Sequence, residues 1–169
     1  MTQITDIDHL YQLRASLHFQ GKTIVLASGV FDLLHQEHQK FLTQAKAVGD
    51  ILLVGLETDA RVRQMKGEDR PLNPLSIRLA NLAKLNLADY VFALPDNFGH
   101  SKVRQDFVLK LHPHILAVSD QAPYFGEKQR IMKLVDGQVL IVHPYNPAIS
   151  TTKLISKKQT WFIAQKLHR

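Results

Sequence analysis

Five short, unbroken runs of apolar residues rich in branched side chains punctuate the chain, at 23–27, 51–56, 90–94, 115–118 and 139–142. Runs of that length and composition suit strands buried on both faces of a parallel sheet. Between them lie segments with helical spacing at 35–48, 58–65, 74–86, 102–112 and 126–135. The alternation predicts an α/β fold, a doubly wound, five-stranded parallel sheet with helices on both faces. Breakers agree with those bounds: Gly49-Asp50 precedes the second run, Asn73-Pro74 opens a helix, and Asp136-Gly137 precedes the last run. A further helix is expected over 6–19, ending at Gly21, and another from Ser150 toward Lys166. With no internal repeat, low-complexity tract or Pro/Gly-rich linker, residues 1–169 are expected to form one domain.

Composition then removes whole classes of function. The chain has no cysteine, which excludes disulfide frameworks, thiolate zinc sites, iron–sulfur clusters and cysteine nucleophiles. Asp6, Asp8 and His9 stand where an export signal needs a basic start and an apolar run, and the apolar runs reach only about a quarter of the ~20 residues that span a bilayer. A cytoplasmic protein without a membrane partner is expected. The formal charge of +6 suits a cleft that attracts phosphorylated substrates; the lysines near the C-terminus, Lys153, Lys157, Lys158 and Lys166, also read as a solvated helix face. No aromatic platform or recognition-helix pattern accompanies them, so nucleic acid is not an expected partner.

In a doubly wound sheet, ligands bind beyond the carboxyl ends of the strands, where strand order reverses. The first run is followed by Ser28-Gly29-Val30-Phe31-Asp32-Leu33-Leu34-His35-Gln36-Glu37-His38 and the last by His143-Pro144-Tyr145-Asn146-Pro147-Ala148-Ile149-Ser150-Thr151-Thr152. Three residues apart at a helix start, His35 and His38 share a face beside free backbone N–H groups, a seat for phosphate. The same pair also reads as a surface pair or half of a metal site. Gly29 permits a tight turn and close approach of a ligand to backbone.

These residues carry a resemblance. The segment from Gly29 to His38 resembles the G-x-F-D-x-x-H-x-G-H signature of the cytidylyltransferase-like nucleotidyltransferases, which share a Rossmann-like fold, and Ile149-Ser150-Thr151-Thr152 resembles the I-S-T-T segment closing the same nucleotide site. Met65-Lys66-Gly67-Glu68-Asp69-Arg70-Pro71-Leu72-Asn73-Pro74, with Arg78 beyond it, is similar to a segment of bacterial heptose-1-phosphate adenylyltransferases. The resemblance covers roughly residues 5–160. It implies transfer of a nucleoside monophosphate from ATP or CTP to a phosphorylated small-molecule acceptor, a sugar phosphate above all, with Mg²⁺ assisting and pyrophosphate released. Glycerol-3-phosphate cytidylyltransferase and FAD synthase are the other activities it leaves open.

By the same resemblance, His35 and His38 hold the donor phosphates, Lys66 neutralises them from a mobile loop, and Ile149, Ser150, Thr151 and Thr152 bind them at the last helix's N-terminus. Val30 and Phe31 lie along the nucleotide by their backbone, Asp32 braces the turn, and Asp120 lies near base or ribose. Arg78 contacts phosphate or ties the loop to the core. Loops 95–100 and 119–126 supply acceptor contacts, and a homo-oligomer, dimer or higher, is expected. Each residue has a plainer role as well: Ser150 as a helix cap, Lys66 and Arg78 as surface charges, Asp120 capping a turn, Phe31 in the core.

The chain departs from the pattern at Glu37, where the family has glycine, at Ala148, at the Val118-Ser119-Asp120 step, and at Tyr145, where the cytidylyltransferase branch has arginine. On an ideal helix Glu37 points about 160° from His35 and about 100° from His38. Either it turns outward harmlessly or it sets a negative charge beside the triphosphate, giving a catalytically weakened nucleotide-binding homologue.

Overall fold

The computed structural model describes residues 1–144. Along the chain run β1 (Gln3–Thr5), α1 (Ile7–Phe19), β2 (Ile24–Gly29), α2 (Gln36–Ala47), β3 (Ile51–Leu56), α3 (Asp59–Lys66), α4 (Leu75–Lys84), β4 (Tyr90–Ala93), α5 (Ser101–Leu111), β5 (Ile115–Ser119), α6 (Phe125–Lys133) and β6 (Gln138–His143). The strands form one parallel sheet in the order β1-β4-β3-β2-β5-β6. Order reverses at β2, which pairs β3 on one side and β5 on the other.

Each strand divides its side chains between two cores, as the period of two requires. Leu26, Leu53, Phe92 and Leu116 pack with Leu10 of α1, Phe107 and Leu111 of α5, and Ile131 and Met132 of α6. Their neighbours Val25, Leu52, Val91 and Ile115 face the other way, onto Leu42 and Ala45 of α2 and Leu82 of α4. Burial on both faces is why these strands read as unbroken apolar runs.

The sheet has six strands where five were expected. The additional one, β1, is a three-residue edge strand whose Gln3, Ile4 and Thr5 lie beside Tyr90, Val91 and Phe92. Being mostly exposed, it has no apolar run to announce it. At the other edge, β5 and β6 slip register between Val118 and Ser119, so that Ser119 pairs with His143. Such irregularities re-aim side chains, and this one lies at the carboxyl ends of the strands, at the rim of the cavity described next. The helix expected from Ser150 lies outside the described residues.

Candidate active site

A cavity of about 580 Å³ opens beyond the carboxyl ends of β2, β3, β5 and β6. Its wall includes Gly29, Val30 and Phe31 after β2, His35 and His38 around the start of α2, and Lys66 at the end of α3. Gly29 is required by packing: a Cβ there would meet the Phe31 ring at 2.9 Å. Phe31 itself takes the left-handed backbone conformation, with φ of 49°, and its buried ring meets His38 edge-on with centroids 5.3 Å apart.

Asp32 and Arg78 do not line the cavity; they build the loop behind its wall. The Asp32 carboxylate accepts from the backbone N–H groups of Leu72 and Asn73, both at 2.9 Å, and from Arg70 Nη2 at 2.7 Å. Burial, the largest single influence, pushes its carboxyl up; these donors together outweigh it and hold the group below its usual range. Arg78 is fully buried and donates to Val30 O at 2.7 Å, Asn73 O at 3.0 Å and Asp59 Oδ1 at 2.7 Å. The guanidinium thus ties the motif loop to the segment after α3, and all three of its nitrogens are engaged by protein acceptors.

His35 is the N-cap of α2, which has no side-chain cap, and its ring stacks on His38 with centroids 3.8 Å apart. In both rings Nδ1 is buried without a hydrogen-bond partner. Burial first, then the neighbouring His35 and Lys66, depress His38 to about 4, so it is a neutral imidazole at neutral pH. Burial also lowers His35, against the pull of Glu37. Lys66 is the last residue of α3, a helix capped by Thr58, rather than part of a loop; burial and then Arg70 lower its ammonium. The result is two neutral donor rings, one cation and an uncapped helix start on one wall, an arrangement suited to phosphoryl oxygens.

Asp120 follows β5, donates its backbone N–H to His143 O at 3.3 Å, and is not among the cavity-lining residues. Ile149, Ser150, Thr151 and Thr152 lie outside the described residues. The loop over 119–126 does reach the cavity, through Ser119, Gln121, Ala122 and Pro123.

Glu37 does not turn outward to solvent. It is buried on the cavity wall, where its carboxylate takes Lys40 Nζ at 2.9 Å and pairs with His143 Nε2 at 2.9 Å, while His143 Nδ1 meets Gln44 at 2.6 Å. The hydrogen bond from Lys40, then that from His143, lowers its carboxyl. Glu57 and Lys128 also line the cavity, and sequence reasoning singled out neither. Glu57 had one signal: it directly follows an apolar strand, at the end where ligands bind.

A family model described as cytidylyltransferase-like matches residues 26–161. The chain belongs to the cytidylyltransferase-like family. This is a nucleotidyltransferase family. Among curated relatives, the bifunctional protein HldE of Pelobacter propionicus is 35% identical over 157 residues, 92% of this chain and 31% of that protein. The HldE protein of a Nitratiruptor species is 40% identical over 101 residues, 60% of this chain and 22% of that one. This cytidylyltransferase-like chain therefore spans less than a third of the length of such relatives. A lipopolysaccharide core biosynthesis protein from Thermoplasma volcanium superposes with a TM-score of 0.60 at 27% identity, over 75% of this chain and 98% of that one. Pantoate-beta-alanine ligase from Francisella tularensis, at 14% identity and a TM-score of 0.62 over 98% of this chain and 80% of that one, shares the fold. Among the described residues no helix is long and apolar enough to cross a membrane.

Proposed function

We propose that this chain, folding as a single domain over 1–169, transfers the adenylyl group of ATP to a sugar phosphate and releases pyrophosphate. The observation that carries the reading is the stacked pair His35 and His38, each with a buried, unpartnered Nδ1, at the uncapped start of α2 on the cavity wall. Phosphoryl oxygens of a nucleotide in the cavity would lie against these two rings and the free N–H groups of the helix start. Likeness to HldE proteins supports a sugar phosphate as acceptor.

In this mechanism an acceptor phosphate oxygen attacks the α-phosphorus of ATP as the bond from that phosphorus to the β-bridging oxygen breaks. The protein positions two anions in line and neutralises charge. His35 and His38 donate to the donor phosphates and Lys66 places its ammonium beside them. Gly29, Val30 and Phe31 border the nucleotide by backbone, Asp32 and Arg78 hold that loop still, and Asp120 serves base or ribose through its loop. Ile149, Ser150, Thr151 and Thr152 complete the phosphate seat by N–H and hydroxyl donors. No three His, Cys, Asp or Glu side chains among the described residues could hold a metal ion as a group. Mg²⁺ would be carried by the nucleotide itself rather than by a protein ligand set, and would supply charge neutralisation for the leaving pyrophosphate. A cytoplasmic homo-oligomer completes the proposal.

Glu37, a carboxylate on the same wall, favours a second reading, a homologue that binds nucleotide but turns over weakly. One experiment separates them. Mg²⁺ and ATP should raise the melting temperature, since ligand at about 100 times Kd adds roughly 2.7 kcal/mol, and pyrophosphate release with sugar 1-phosphates should collapse in His35→Ala and His38→Ala. Normal turnover in both variants refutes the transferase reading; a melting shift with no release from any sugar phosphate favours the second.

A further inference from the structure

Besides His35, His38 and Lys66, the cavity wall carries a second set of charged groups, Glu57 and Lys128. His38 is perturbed by His35 and Lys66, whereas Glu57 is surrounded by Arg61, Arg104, Arg78 and Lys128, and the two sets share no member. Glu57 is set beside the motif by main chain, its N–H donating to Gly29 O at 3.0 Å. Its Oε2 is buried without a hydrogen bond, 4.0 Å from Arg61 Nε, which is likewise buried and unbonded. Arg61 is confined there, because its guanidinium covers Gly99, where a Cβ would meet it at 2.6 Å. Arg104 is already committed to Glu127, at 2.8 and 2.9 Å, and to the carbonyls of Phe98 and Gly99. Lys128 remains on the cavity wall, bonded to Pro123 O.

Glu57 and Lys128 together give this stretch of wall one hydrogen-bond acceptor and one cation. That combination suits a ligand that carries one phosphate and several hydroxyls. A hydroxyl can donate to a carboxylate, so Glu57, on the cavity wall with Lys128, can accept hydrogen bonds from a ligand's hydroxyls. Burial pushes the Glu57 carboxyl up, against the pull of Arg61 and Arg104.

We propose that Glu57 determines acceptor specificity, selecting a polyol phosphate by accepting hydrogen bonds from its hydroxyls while Lys128 binds its phosphate. The proposal rests on the transferase reading and names the group that sorts acceptors within it. Calorimetric titration of the full chain, loaded with Mg²⁺ and a non-hydrolysable ATP analogue, with glucose 1-phosphate, mannose 1-phosphate and ethyl phosphate tests it. Wild type should bind one of the hexose phosphates at least ten-fold more tightly than ethyl phosphate. Glu57→Gln should bring that ratio to within about two-fold of unity, leave the affinity for the ATP analogue within two-fold, and leave ethyl phosphate unaffected. Lys128→Ala should weaken hexose and ethyl phosphates alike. A wild type without preference for a hexose phosphate overturns the proposal, and so does a ratio that survives in Glu57→Gln. Weaker binding of the ATP analogue in Glu57→Gln also overturns it, assigning the carboxylate to the ribose. Should Glu57→Gln fail to fold, the ratio is read in Glu57→Asp, where a shortened carboxylate should cut it several-fold and an unchanged ratio counts against the proposal. Failure of wild type to bind the ATP analogue sinks the transferase reading instead, and is seen before any acceptor is added.

Discussion

Replacing Arg78 by methionine tests whether this side chain holds the motif loop or holds phosphate. Methionine keeps most of the unbranched stem, so the cavity left behind is small and the lost bonds dominate. Two backbone carbonyls, Val30 O and Asn73 O, lose a buried donor, at about 1–3 kcal/mol each. Asp59 suffers less: it is 31% exposed and still accepts from Leu75 N at 3.2 Å. Together this gives a loss of about 3–5 kcal/mol, in the range for breaking a buried pair, which for a domain of this size lowers Tm by about 6–20 °C. Urea unfolding followed by circular dichroism measures it, with Arg78→Lys as a variant that keeps the charge but cannot reach three acceptors and should fall between. Because Val30 borders the cavity, the affinity for Mg²⁺ and ATP should fall with the loop's order. A loss under about 1 kcal/mol refutes the reasoning, and a variant as stable as wild type that no longer binds nucleotide would place the guanidinium on phosphate.

Two further predictions concern charge on the cavity wall. His38 is depressed from 6.5 to about 4, so between those values the unfolded chain takes a proton that the folded one refuses; stability should fall as pH drops through that window, by up to about 3 kcal/mol. Urea unfolding at pH 7 and pH 4.5 should show a smaller loss in His38→Gln than in wild type, and an equal loss in the two would show that His38 is not the group responsible. Glu37→Gly breaks the pairing with His143 at 2.9 Å and removes a carboxylate already matched by Lys40, so ATP affinity should fall several-fold, read by thermal shift or calorimetry. A rise in affinity instead would show that the carboxylate opposes the donor, as in the weakened homologue.

What the sequence disclosed and what it hid follow from how each feature is encoded. Strands such as β3 are buried on both faces and so write themselves as apolar runs; β1, three exposed residues at an edge, needs only backbone partners and writes nothing. Motif residues close in sequence, Gly29 to His38, were readable because one turn and one helix start hold them. Arg78 left two roles open, and its burial and its three protein acceptors support the one that ties the loop to the core. Glu57 was missed because an acid at a strand end reads as solvated; what makes it unusual is Arg61, Arg104 and Lys128, delivered by three different helices. The same reason governs Glu37. Taken alone, an acid in place of a motif glycine is a misplaced charge, but its partner His143 lies 106 residues away at the end of β6, and the sheet brings them together. That pairing joins the start of the helix bearing His38 to the end of β6, so the acid that replaces the motif glycine holds two edges of the cavity wall together.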